Sequence, residues 1–120
     1  MMNRRIYHLK KLEEIAQGDS AFILEMVATF VENVSSDLEN ILSFKSAGNW
    51  RSIAETAHKL ASNFAYLGAG GLHDLAADIE KSVLNDNDLT GIVEKTDQLY
   101  QEGTMMVSQV EKDFGLTNTN

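Results

Sequence analysis

Apolar residues recur at steps of three and four along most of the chain, the repeat of a helix that buries one face. Proline is absent, and turn-forming residues gather at Gly18-Asp19-Ser20, Ala47-Gly48-Asn49, Gly68-Ala69-Gly70-Gly71 and Asn85-Asp86-Asn87-Asp88, cutting the sequence into five segments. The first, about residues 4–17, carries Leu9, Leu12 and Ala16 and stops at Gly18, a residue suited to the left-handed backbone that ends helices. The second runs from an Asp19 N-cap to about Lys45, with Val27, Phe30, Val31, Val34, Leu38, Ile41 and Leu42 in one stripe. Its opening turns, Phe22 to Val31, are apolar nearly all round and need a cover, which the first helix can provide. Asn49 caps the third segment, whose stripe is Ile53, Ala57, Leu60, Phe64 and Leu67, and the fourth continues with Leu72, Leu75, Ala76, Ile79 and Val83. The fifth, from about Asp88 to Phe114, shows Leu89, Ile92, Val93, Thr96, Leu99, Tyr100, Met106, Val107 and Val110, with Gly103 on the same face, open to a close helix contact. The Met105-Met106 pair reads as core filler. Connections of a few residues leave no room for crossovers, so the pattern predicts an all-α fold: an antiparallel up-down four-helix bundle with a short additional N-terminal helix.

Composition adds bounds to that picture. A chain of 120 residues with 43% hydrophobic and 23% charged positions is expected to form a single domain over residues 1–120, with a frayed tail over about 115–120. The opening Met1-Met2 and the complete set of bundle helices suggest a free-standing protein. The lack of cysteine removes disulfides, thiolate metal sites and cysteine nucleophiles, and no run is long and apolar enough for a signal peptide or a membrane span, so a cytoplasmic location is expected. A net charge of −8 repels phosphate backbones and anionic lipid, which disfavours nucleic acid and membranes as partners and favours proteins. A monomer is the expected state.

Candidate chemistry centres on His58. On the third helix it points more than a quarter-turn from the stripe centred near Leu60 and Phe64, so its ring is expected to face water. Positions three, four and seven away hold Ala54, Ala61, Ser62 and Ala65, with Glu55 and Arg51 the long neighbours, a low clearing that lets another macromolecule approach. Surfaces chosen only for solubility carry Lys, Glu or Gln at such places. At an ordinary pKa of about 6.5, roughly three-quarters of an exposed histidine is neutral at pH 7, with one nitrogen bare and nucleophilic. Glu55, one turn earlier, is the expected acceptor of the Nδ1 proton, leaving Nε2 free to attack. The competing reading is a tolerated surface histidine, and His8 and His73, beside core stripes, take that reading. Glu55-Thr56-Ala57-His58 matches one Glu-x-x-His element of a di-iron bundle, but neither His8 nor His73 has a Glu three residues earlier to supply the second, so no metal is expected. Gly68-Ala69-Gly70-Gly71 lacks both the preceding strand and the following Lys-Ser/Thr of a phosphate loop and reads as a turn between helices. No cofactor is expected.

Ala57-His58-Lys59-Leu60, with Leu67-Gly68-Ala69 after it and Leu72 beyond, resembles the motif of histidine-containing phosphotransfer (HPt) domains. Tyr7-x-Leu9, Gly18-Asp19-x-x-Phe22 leading to Phe30, and Leu72-x-x-Leu75 leading to Ile79-Glu80 extend the likeness along nearly the whole chain. The resemblance implies a helical bundle that carries phosphate in a multistep two-component relay and is not itself an enzyme. His58 would accept a phosphoryl group from a receiver-domain aspartate and pass it to another receiver, with a hybrid sensor histidine kinase upstream. Arg51, Ala54, Lys59, Ala61, Ser62, Ala65 and Gly68 would then form the docking surface. The family usually places Lys three residues after the histidine and Gly at the fourth, where this chain has Ala61 and Ser62. Lys59, about 100° round the helix, reads as a poor substitute for that lysine. The alternative expectation, carried by Ala61, is a bundle impaired in phosphotransfer that serves as a protein-binding scaffold.

Overall fold

The structure, a computed structural model, describes residues 6–116. It contains five helices: α1 (Lys10–Ala16), α2 (Ser20–Ser46), α3 (Trp50–Tyr66), α4 (Gly70–Leu84) and α5 (Ile92–Phe114). The four long helices form a ring in which each packs on its chain neighbour and α5 closes against α2, while α1 lies on α2. Cross-helix pairs run in opposite senses along the chain: Lys45 with Asp97 and Glu39 with Tyr100 between α2 and α5, Asp37 with Lys59 between α2 and α3, His58 with Glu80 between α3 and α4. The bundle is therefore antiparallel, up and down.

Local chemistry sets the helix ends. Asp19 accepts from the Phe22 N–H at 3.0 Å and Asn49 from the Ser52 N–H at 3.2 Å, each satisfying one of the donors a helix start leaves open. Gly48, between α2 and α3, takes φ +68°, and Gly68, between α3 and α4, takes φ +64°. The glycine-rich run at 68–71 is a turn that passes directly into α4. At Gly68 a Cβ would also come within 2.5 Å of the His8 ring, so a side chain there would be both strained and obstructed.

The core is one continuous cluster. Ile53, Ala57, Leu60, Phe64 and Leu67 of the α3 stripe are wholly buried, facing Val27, Val34, Leu38 and Ile41 of α2, Leu72, Ala76 and Ile79 of α4, and Leu99, Met106 and Val110 of α5. Truncating a leucine such as Leu60 in this setting to alanine costs about 2–5 kcal/mol. Gly103 is buried where α5 meets α2 and α3: a Cβ there would lie 3.0 and 3.1 Å from the Leu38 methyls and 3.5 Å from the Phe64 ring.

Several expectations are corrected. The first helix starts at Lys10, because Tyr7 is buried, its hydroxyl donates to Asp113 at 2.6 Å, and the His8 N–H donates to the Leu67 carbonyl at 2.9 Å. These ties hold residues 6–9 as a non-helical strap at the ends of α3 and α5, and positions 4 and 5 of the expected helix lie outside the described residues. With only 7 residues, α1 buries Leu12 and Ala16 but leaves Phe22 and Leu24 of α2 exposed. Helix α5 begins at Ile92, since Gly91 at φ +73° starts it, and Leu89 and Val93 are exposed. Near the end of α4 Val83 packs partly buried on the core as expected, and Ser82 is buried next to it in the chain; Met106 is buried while Met105 is exposed. At the other end, Gly115 in left-handed backbone closes α5 and Leu116 packs on the core, so the expected tail reduces to residues outside the described ones.

Candidate functional site

Helix α3 presents His58 near its middle, one position after the buried Ala57, so the ring is carried on backbone fixed by the core. The His58 side chain is 66% exposed. Its Nδ1 lies 3.1 Å from Oε1 and 3.0 Å from Oε2 of Glu80, which reaches across from α4 and is itself largely covered. An ionised carboxylate can only accept, so the contact favours the tautomer in which Nδ1 carries the proton and Nε2 keeps its lone pair.

That contact corrects the expectation for Glu55. Glu55 turns back along its own helix to Arg51, with Nε 3.5 Å from Oε2, and both side chains stand mostly in solvent. The carboxylate in contact with Nδ1 comes from α4 because α3 and α4 fold about the turn at Ala69, and Glu80 lies as far after that residue as His58 lies before it.

The clearing is also redrawn. Ala54 is wholly buried and Ala61 nearly so, the latter lining the depression between α3 and α4. Ala54 offers a partner no surface. Ser62 and Ala65 remain exposed, Gly68 is half-covered, and Lys59 and Arg51 reach into solvent. His58 stands on a ridge between two depressions. One, of about 420 Å³, lies between α2 and α3 and is lined by Asn33, Ser36, Asp37, Lys59, Ser62 and Asn63 beside the ring. The other, of about 360 Å³, lies between α3 and α4 and includes Lys11, Ala61, Ala65, Tyr66, His73 and Glu80. At its edge Tyr66 stacks on Phe30 with ring centres 5.4 Å apart, and Lys11 Nζ sits 5.5 Å from the Tyr66 ring centre. His8 covers Gly68, and His73, which lines the α3–α4 depression along with His58, pairs with the adjacent Asp74. Among the described residues no group of three or more histidine, aspartate or glutamate side chains is placed to hold a metal ion. Nor, among them, is any helix long and apolar enough to cross a membrane.

The family profile of the Hpt domain matches residues 25–113. The chain belongs to the Hpt domain family. No curated protein matches it significantly. Its structure resembles the crystal structure of histidine-containing phosphotransfer protein B (HptB) from Pseudomonas aeruginosa PAO1, with a TM-score of 0.80 at 16% sequence identity, covering 97% of this chain and 100% of that one. At that identity the likeness establishes the bundle fold. Within this Hpt domain, sequence reading missed Glu80 as a partner of His58 and Asp37 as a partner of Lys59, since neither sits at helical spacing from its target. Both were findable by folding neighbouring helices about their turns: Asp37 precedes Gly48 by the same interval that Lys59 follows it.

Proposed function

We propose that this Hpt domain is a phosphocarrier of a multistep phosphorelay, taking a phosphoryl group on His58 Nε2 from a receiver-domain aspartate and handing it to a second receiver. The observation that carries the proposal is the exposed His58 ring with Nδ1 tied to Glu80. In the forward step the Nε2 lone pair forms the N–P bond as the P–O bond to the receiver aspartate breaks, and that aspartate leaves as a free carboxylate. The ring keeps its Nδ1 proton and becomes cationic, and the Glu80 carboxylate beside that proton stabilises the charge. Return transfer reverses each change: the N–P bond breaks, the electron pair returns to Nε2, and Glu80 again holds a neutral ring.

Phosphoryl transfer asks little covalent work of a carrier beyond a placed nucleophile, because positioning and charge neutralisation dominate and the receiver can supply most of them. The ridge form of the site suits this division, since Ser62 and Ala65 keep the ground low on the exposed side of α3. Receiver domains are accordingly the proposed partners, with a hybrid sensor kinase upstream.

A second reading, a binding scaffold that no longer transfers phosphate, is favoured by Ala61 at the family's lysine position. Mixing the protein with a phosphorylated receiver domain distinguishes the two. A carrier acquires an acid-labile, base-stable phosphate that His58→Gln abolishes; complex formation without phosphate on the protein supports the scaffold and overturns the carrier.

A further inference from the structure

The lysine expected one turn after the histidine is absent, yet a lysine does border the ring. Lys59 lines the depression between α2 and α3 together with His58, and its Nζ lies 3.3 Å from Asp37 Oδ1, a carboxylate that is 11% exposed while the lysine is 61% exposed. The ammonium has three donors and Asp37 uses one direction of it, so the group can hold Asp37 and still face outward to a second anion. Charge decides which side of the ridge a dianion would take. The α4 side carries Glu80 against the ring, with Lys11 engaged over Tyr66, whereas the α2 side carries an acid already matched by Lys59 and otherwise neutral side chains of Asn33, Ser36 and Asn63, Ser62 bordering both.

We propose that Lys59 is the phosphoryl-binding cation of this site, bridging the nearly buried Asp37 and the oxygens of a phosphoryl group on His58 Nε2 in the groove between α2 and α3. The role deepens the carrier reading and rests on it. Lys59 also screens Asp37, which would otherwise repel the incoming dianion from the same depression. Arg51 does not serve, being tied to Glu55, and Lys11 stands over Tyr66 in the other depression, on the side that holds Glu80.

A partner-free probe isolates this role. Phosphoramidate phosphorylates histidine directly: Nε2 forms the N–P bond, the reagent's own P–N bond breaks, and ammonia leaves. With the full chain at low ionic strength, the initial rate of phosphate incorporation at His58, located by mass spectrometry, is compared across K59M, K59R, D37N and K11M. K59M is expected to lower the rate by about threefold, the size fitting a solvent-exposed charge pair, K59R to restore most of it, and D37N, which removes the repelling carboxylate, to raise it. Lys59 and Asp37 thus have opposite signs, although each substitution breaks the same ion pair. A K59M rate equal to wild type, D37N slowing the reaction as K59M does, or K11M slowing it equally would overturn the proposal, the last by showing an effect of net charge alone. Failure of the carrier reading would surface elsewhere, as a wild-type chain that accepts phosphate from phosphoramidate but none from charged receivers. No incorporation at His58 in wild type overturns both.

Discussion

The carboxylate beside His58 Nδ1 is that of Glu80 on a neighbouring helix, so this contact depends on the docking of α4 and not on any residue of α3. The contact is partly open to water, which places its worth at the lower end for a hydrogen bond to a charged group. E80A should therefore slow phosphate acceptance from a charged receiver by about tenfold, or about 1.4 kcal/mol of barrier. E80Q, whose amide oxygen can still accept from Nδ1–H, should lose less, and E55A should react at the wild-type rate. Single-turnover transfer kinetics check all three; a slow E55A beside an unimpaired E80A would return the orienting role to Glu55. What the sequence revealed at this scale was the outward direction of His58, because helical periodicity fixes the angle of a side chain to the core. It did not reveal the partner, because a contact between helices depends on their relative register, which no single-helix repeat encodes.

Helix pairing follows from small residues at the seams. Ala57 and Ala61 are small buried members of the core on α3, and Gly103 lets α5 approach Leu38 and Phe64. G103V would press two methyls into a contact where a Cβ alone already stands 3.0 Å from Leu38. A loss of about 1–3 kcal/mol in urea unfolding is expected, and wild-type stability would show that α5 can shift without penalty. The α2–α5 seam can be read by titration. The Tyr100 hydroxyl donates to Glu39 at 3.0 Å, and this bond, reinforced by the glutamate's charge, holds the phenol above the usual tyrosine range. A raised pKa in the folded state means that the stabilisation is fully present below about pH 10 and is lost as pH rises through the folded value. In E39Q one of the 3 tyrosines should ionise at lower pH than in wild type by tyrosinate absorbance, and identical titration curves would exclude the contact in solution. Helix ends were legible wherever a cap had side-chain chemistry, as at Asp19 and Asn49. The start of α1 was not, because Tyr7 and His8 exchange helical geometry for tertiary bonds to Asp113 and Leu67.

Over the whole molecule the bundle holds a fixed frame that presents the exposed His58 ring on α3. The arrangement of four long helices was legible because stripes, turns and short connections agree on one topology, the consistency that marks a foldable sequence. The surroundings of His58 were only half legible: from α3 alone Ala54 and Ala61 count as surface, whereas in the fold Ala54 is wholly buried and Ala61 keeps only a small edge on the depression beside His58. Charge follows the same division, with a chain of net −8 that nevertheless places Lys11, Arg51 and Lys59 along the side that carries His58. The central claim is that this frame offers Nε2 of His58, and no other atom, to a phosphoryl group. Phosphorus–proton correlation NMR on the protein after transfer from a phosphorylated receiver tests it most directly. A single phosphorus signal coupled to the ring protons of His58 in the pattern of an Nε2 phosphoramidate is the expected result. A signal on Nδ1, on His8 or His73, or no signal despite a bound receiver would contradict the account.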